Sequence, residues 1–157
     1  ASAHNYLGGA LLAMGRTTEA ITHLRRAASL SPHDERMHFN LGNALNEHER
    51  GFLAQNGIEV VALKGLGIGA GGPHEYVRIA RVPKEEVLAH ARSVDRPEAQ
   101  ALVISCTDFA TLEAVAALER ALGKPVVTSN QATFWAALRA ARVDDRLPSF
   151  GRLLQEH

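Results

Sequence analysis

The stretch that decides the fold is Ala101-Leu-Val-Ile-Ser-Cys-Thr-Asp-Phe109, followed by Ala110-Thr-Leu-Glu-Ala-Val-Ala-Ala-Leu-Glu-Arg-Ala-Leu-Gly123. The apolar, partly β-branched run over 101–105 predicts a buried parallel strand. Apolar residues at helical spacing then predict a helix over 109–122 that ends at Gly123. The single cysteine, Cys106, lies between them. In an open α/β sheet, ligands bind at this carboxyl edge.

Three features of this position favour thiolate chemistry at Cys106. The N-terminus of the following helix is partly positive and would stabilise a thiolate. The backbone N–H groups of Thr107 and Asp108 would point towards a bound anion, and the Thr107 hydroxyl can donate to a carboxylate oxygen. A single cysteine is also commonly a small buried apolar side chain. The residues alone leave both interpretations open.

Composition excludes several classes of protein. The chain has 17 basic and 17 acidic residues, so no charge excess favours nucleic acid. One cysteine excludes an internal disulfide and is typical of a reducing compartment, so we expect a cytoplasmic protein. No apolar run approaches the roughly 20 residues that a membrane helix needs, so we expect no membrane partner.

Residues 1–45 carry a helical repeat pattern. Leu7-Gly8 and Leu41-Gly42 are 34 positions apart, which is the tetratricopeptide period. Small Gly8 and Ala20 would let two helices approach closely, the turn 15–18 would contain a threonine N-cap at Thr17 or Thr18, and Pro32 would end the second helix. The pattern predicts one full repeat over 1–34 and the first helix of another over 35–45.

The rest of the sequence, residues 46–157, predicts an α/β lobe that one continuous helix joins to the repeat. With Asp34 as N-cap and Gly57 at its end, that helix would cover about 35–56. Parallel strands are predicted at 58–63, 101–105 and 125–128. The predicted fold class is therefore α/β, with a tetratricopeptide-like helical hairpin joined to an incomplete, flavodoxin-like three-stranded lobe.

Ser129 and Asn130 follow the last predicted strand and would share the carboxyl edge with Cys106 and Thr107. We expect Thr107, Ser129 and Asn130 to bind substrate carboxylates, although Ser129 is equally suited to cap the following helix. We expect no cofactor and no metal. The glycine-rich loop 65–72 does not lead directly into a helix, as a dinucleotide fingerprint would, and the eight histidines lack zinc spacing.

Residues of about 46–154 resemble the second lobe of maleate cis-trans isomerase. This group includes the ectoine-utilisation isomerase-like proteins, belongs to the aspartate/glutamate racemase superfamily, and is similar to arylmalonate decarboxylase. The resemblance is carried, in order, by Gly57-Ile-Glu-Val-Val, Gly65-Leu-Gly-Ile, Ser105-Cys-Thr-Asp, Gly123-Lys-Pro-Val-Val-Thr-Ser-Asn-Gln and Phe150-Gly-Arg-Leu-Leu.

The resemblance implies cysteine chemistry without a cofactor on a small, maleate-like dicarboxylate. In the family, one thiolate adds to the double bond, and a second thiol, matched here by Cys106, assists by proton transfer. The family's first strand and its tyrosine are absent, and the repeat takes their place. The resemblance therefore implies inactivity of the chain alone and a missing first lobe as partner.

Two other interpretations stay open from the sequence. The repeat would make the chain a protein-interaction scaffold without catalytic activity. Alternatively, the chain would be a recombinant without an evolved role, either an engineered chimera or a truncated gene product. A natural fusion is equally compatible with the sequence.

Overall fold

The computed structural model describes residues 1–68 and 73–157, which form two compact units, Ala1–Arg78 and Ile79–His157. The α-helices described in the first unit are α1 (Ser2–Ala13), α2 (Thr17–Leu30) and α3 (Glu35–Gln55). A 3-10 helix, Pro73–Arg81, runs across the division. Within the described residues, no helix combines the length and the apolar character needed to cross a membrane.

The first unit confirms the predicted helical repeat. Gly8 is buried between α1 and α2, where a Cβ would lie 3.2 Å from the carbonyl oxygen of Ala20. Leu24 on α2 and Ala44 on α3 belong to one apolar cluster between these two helices. The predicted threonine N-cap is wrong, because α2 already begins at Thr17 and Arg16 precedes it without a side-chain cap.

Helix α3 is continuous across the boundary between the two sequence patterns, as predicted. The Asp34 carboxylate accepts from the Arg36 N–H at 3.0 Å and caps the start. Gly57, just beyond the C-terminal end, has a left-handed φ of 76°. The proposed domain division between residues 45 and 46 falls inside this helix and stays a prediction.

The second unit is built on a two-stranded parallel sheet. Its elements are α4 (Lys84–Val94), β1 (Leu102–Ile104), α5 (Leu112–Leu122), β2 (Val126–Thr128), α6 (Ser129–Ala140) and α7 (Arg152–Glu156). Leu102 pairs with Val126 and Ile104 pairs with Thr128. Val115, Leu118 and Val126 are fully buried at the centre of this unit.

The predicted third strand at 58–63 is wrong for the described residues, where the sheet has only β1 and β2. A strand exists only where its backbone groups pair with a neighbouring strand. Ile58 instead donates its N–H to the Leu53 carbonyl at the end of α3, at 2.9 Å. The segment therefore continues from a helix end without joining a ladder.

Candidate functional site

Cys106 lies two residues after β1, at the carboxyl edge of the sheet. The residue is half-buried, unlike the fully buried Val126 on the neighbouring strand. The backbone N–H of Cys106 donates to the Ser129 hydroxyl oxygen at 3.2 Å. Ser129 is the first residue of α6, directly after β2, so this hydrogen bond continues the β1–β2 ladder one step beyond the strands.

The structure brings the other predicted residues to the same place. The Asn130 amide donates to the backbone carbonyl of Thr107 at 3.0 Å. Thr107 and Asn130 are both exposed, and Ser129 is half-buried. Two hydrogen bonds therefore tie the turn after β1 to the first residues of α6, and all four predicted residues share one edge of the sheet.

The helix that follows Cys106 in sequence begins later than predicted. Helix α5 starts at Leu112, after the N-cap residue Thr111, and Phe109 donates its N–H back to the Cys106 carbonyl at 3.4 Å. The Ser-Cys-Thr-Asp segment forms a turn, as its composition favours, and Phe109 is buried before the helix starts. The N–H groups of Thr107 and Asp108 are therefore not part of a helix end.

The helix end beside Cys106 belongs to α6 instead. Ser129 and Asn130 are its first two residues, and helix geometry leaves early N–H groups such as that of Asn130 without an intrahelical acceptor. This end carries a partial positive charge that favours an anion. We predicted from the sequence that the N-terminus of α5 supplies the partial positive charge beside Cys106. In the structure the N-terminus of α6 supplies it.

Ser129 is not the cap of α6. The cap is Thr128, whose hydroxyl accepts from the Gln131 N–H at 3.1 Å, while the Gln131 amide oxygen accepts from the Thr128 N–H at 3.2 Å. The sequence signal for this reciprocal capping box was Thr128-Ser-Asn-Gln131 at the end of a strand. Because Thr128 holds the helix end, the Ser129 hydroxyl is available to Cys106.

Arg152, in the C-terminal Phe150-Gly-Arg-Leu-Leu stretch, contacts other residues. It forms an ion pair with Glu156 at 3.0 Å, and its backbone N–H donates to Glu119. Of the glycine loop 65–72, positions 69–72 lie outside the described residues. Among the residues that are described, no three histidine, cysteine or carboxylate side chains cluster as metal ligands would.

Comparison with known proteins relates both parts of the chain to families. The TPR repeat family model matches residues 8–48. Arylmalonate decarboxylase from Bordetella bronchiseptica is 32% identical over 113 residues, which are 71% of this chain and 46% of that protein. Maleate isomerase from Nocardia farcinica is 40% identical over 83 residues, which are 52% of this chain and 33% of that protein.

Comparison with solved structures finds the same two kinds of protein. A mutant of arylmalonate decarboxylase in a liganded form superimposes with a TM-score of 0.65 at 29% identity, over 73% of this chain and 48% of that one. A Nocardia farcinica maleate cis-trans isomerase mutant with a covalently bound succinylcysteine intermediate has a TM-score of 0.60 at 27% identity, over 80% and 46%.

The chain spans less than half the length of each of these relatives. The arylmalonate decarboxylase family model nevertheless matches residues 37–154, three quarters of the chain. That match begins in α3 and ends in α7 and includes the whole edge around Cys106. The chain belongs to the arylmalonate decarboxylase family.

Proposed function

We propose that Cys106 is the reactive thiol of a half-site for a small dicarboxylate such as maleate, in a cofactor-independent isomerase or racemase-type reaction. The observation that carries this proposal is the hydrogen bond from the Cys106 N–H to the Ser129 hydroxyl at 3.2 Å. It fixes the only cysteine of the chain beside the N-terminus of α6, where an anion is stabilised.

The same edge supplies the groups that a carboxylate needs. The Asn130 N–H at the start of α6 and the exposed Thr107 hydroxyl are hydrogen-bond donors on two segments that the Asn130–Thr107 hydrogen bond joins. Charge-assisted hydrogen bonds of this kind to a carboxylate are worth about 1.5–3 kcal/mol each. A substrate carboxylate held there would lie next to the Cys106 thiol.

Cys106 would transfer a proton to or from a substrate carbon. As a thiol it gives its proton to the carbon and becomes a thiolate, and as a thiolate it takes one back. The succinylcysteine in the Nocardia farcinica structure is a covalent cysteine adduct of that relative, and it supports cysteine chemistry in this family. Adduct formation and proton transfer at the same carbon–carbon double bond need two separate groups, and this chain has one cysteine. We therefore propose that a second lobe supplies the other thiol.

The test combines labelling with turnover. We expect iodoacetamide to alkylate Cys106 rapidly in the folded chain, with mass spectrometry showing one adduct, and we expect maleate to slow that labelling. We expect no measurable conversion of maleate to fumarate by the isolated chain. A Cys106 that stays unlabelled in the folded state would support the buried apolar alternative. Turnover that survives Cys106→Ala would exclude this residue from the mechanism.

A second candidate function is protein binding by the helical repeat. Helices α1 and α3 meet through a hydrogen bond from the Asn40 amide to the Asn5 side chain at 3.0 Å. Nearby in sequence, Tyr6 and Phe39 are 78% and 63% exposed, large values for aromatic side chains. We propose that these side chains contact a protein partner. Loss of a co-purified protein in Tyr6→Ala, but not in Cys106→Ala, would assign that binding to the repeat.

A further inference from the structure

The two strands of the second unit differ in whether the backbone groups on their outer edges have hydrogen-bond partners. In a parallel pair, alternate residues direct their backbone groups towards the partner strand and away from it. Leu102 donates its N–H to the Pro125 carbonyl at 3.0 Å, so the backbone groups of Leu102 and Ile104 point towards β2. Val103 consequently directs its N–H and C=O away from β2. On β2, Val126 and Thr128 are the outward-facing residues.

The outer edge of β2 is closed by side chains. The Val126 N–H donates to the Glu119 carboxylate at 3.1 Å, and the Thr128 N–H donates to the Gln131 amide oxygen at 3.2 Å. Both outward N–H groups of β2 are therefore occupied. A strand added to this side would have to displace a carboxylate and a buried glutamine, so this edge is protected against strand addition.

The outer edge of β1 has no such protection among the described residues. Over residues 1–68 and 73–157 the sheet contains only β1 and β2, so no strand from these residues pairs with the outward groups of Val103. The Val103 side chain is 54% exposed, and neighbouring Ala101 and Ser105 are exposed too. Exposed edges of natural sheets usually carry charge or proline. The run 101–105 contains neither.

The same chain contains an apolar segment that is paired on one side only. In residues 58–63, Ile-Glu-Val-Val-Ala-Leu, the Ile58 N–H donates to the Leu53 carbonyl at 2.9 Å, and the Val60 carbonyl accepts from Arg50 at 3.1 Å. These contacts hold alternate residues against the end of α3. Val61, from the other set of alternate residues, is 42% exposed and belongs to no ladder in the described part of the chain.

From these two features we infer that the chain forms a dimer in which residues 58–63 of one copy add as a strand to the β1 edge of the other copy. In the described part of each chain, the outer edge of β1 is open and residues 58–63 join no strand, so two copies related by a two-fold axis satisfy both features reciprocally. Backbone hydrogen bonds to Val103 supply affinity, and burial of Val103 and Val61 adds the hydrophobic contribution.

The experiment measures the mass of the 157-residue chain by size-exclusion chromatography with light scattering, over a range of micromolar concentrations. We expect a dimer for the wild type. Val103→Pro removes only the outward N–H, a position at which edge strands tolerate proline. Val103→Lys places charge on the edge and tests the same contact if the proline variant fails to fold. Both variants should be monomers with unchanged far-UV circular dichroism.

Val61→Lys tests the other half of the contact and should also give a monomer. Phe134→Lys is the matched control, because Phe134 on α6 is an equally exposed apolar side chain at 49%, and this variant should remain a dimer. Mixing Val103→Lys with Val61→Lys should restore a dimer, since one intact strand and one intact edge remain. A monomeric wild type, or dimers that persist in the Val103 variants, would overturn the inference. Dissociation by Val103→Lys without dissociation by Val61→Lys would reject 58–63 as the added strand.

Discussion

The backbone N–H of Cys106 and the side-chain oxygen of Ser129 are 3.2 Å apart and join the turn after β1 to the first residue of α6. This contact occupies the position of the next ladder hydrogen bond, so it acts as an extension of the sheet. Any change at Ser129 is therefore transmitted directly to the cysteine turn.

Replacing Ser129 by Ala should leave the Cys106 N–H without its acceptor. We expect a loss of about 1 kcal/mol in the free energy of unfolding, the usual value for one hydrogen bond, and faster iodoacetamide labelling of a looser turn. Urea unfolding and labelling rates measure the two effects. Ser129→Thr keeps the hydroxyl and serves as control. Equal labelling rates in wild type and Ser129→Ala would show that the contact does not restrain Cys106.

Gly8 should be intolerant of a side chain, because a Cβ there would lie 2.5 Å from Leu24 Cγ. Leu24 is 1% exposed and belongs to the apolar cluster between α2 and α3, so displacing it would disturb that packing. We expect Gly8→Ala to destabilise the chain by about 1–3 kcal/mol through overpacking. Gly9→Ala is the matched control, since nothing lies within 4 Å of its Cβ position. It should stabilise helix α1 by up to about 1 kcal/mol. Thermal unfolding of Gly8→Ala and Gly9→Ala tests this prediction, and equal melting temperatures for the two variants would contradict it.

Gly151 combines two constraints, a left-handed φ of 86° and a Cβ position 2.5 Å from Val115 Cγ1. Gly151→Ala should therefore cost about 1–3 kcal/mol of overpacking in addition to backbone strain. Gly123 has a similar φ of 67° but open space around its Cβ position. Gly123→Ala should cost only the strain of about 1–2 kcal/mol. Gly151 also has a ψ of 165°, a backbone region that essentially only glycine occupies, whereas Gly123 has a ψ of 17°. Chemical denaturation of both variants measures the two losses, and equal losses would contradict the added cost of overpacking and strain at Gly151.

The start of α3 should respond to acid. The hydrogen bond from Arg36 holds the pKa of the Asp34 carboxyl below its ordinary value of 3.8. A carboxyl with a lowered pKa contributes stability above its unfolded-state pKa and loses that contribution as the pH falls through its folded-state pKa. We expect the melting temperature of the wild type to fall below about pH 4 more steeply than that of Asp34→Asn, which keeps a good N-cap without the charge. Parallel curves for the two proteins would contradict this.

Local signals in the sequence were sufficient for several elements. Asp34 and Gly57 bracket a run without proline, and the resulting helix crosses the boundary between two families as predicted. Gly123 ends α5 in the left-handed conformation that a glycine at this position favours. Cys106, Thr107, Ser129 and Asn130 share an edge because parallel strands align their carboxyl ends. Each of these depends on residues adjacent in the chain or on a general rule of sheet topology.

Contacts between distant residues decided the rest. The composition of 58–63 favours a strand, yet the segment joins no ladder in the part of the chain that the structure describes, because a strand also requires a partner that its own sequence does not specify. Phe109 is buried ahead of α5, which begins only at Leu112, although its apolar character placed it inside the predicted helix. The capping box of Thr128 and Gln131 is local, but the hydrogen bond from Cys106 to the Ser129 hydroxyl joins residues 23 positions apart and depends on the packing of α6 beside β1. The sequence by itself placed Cys106, Thr107, Ser129 and Asn130 at one edge of the sheet. The tertiary structure determined which helix end and which hydroxyl lie beside the thiol, since hydrogen-bond partners across the fold are selected by packing and not by sequence order.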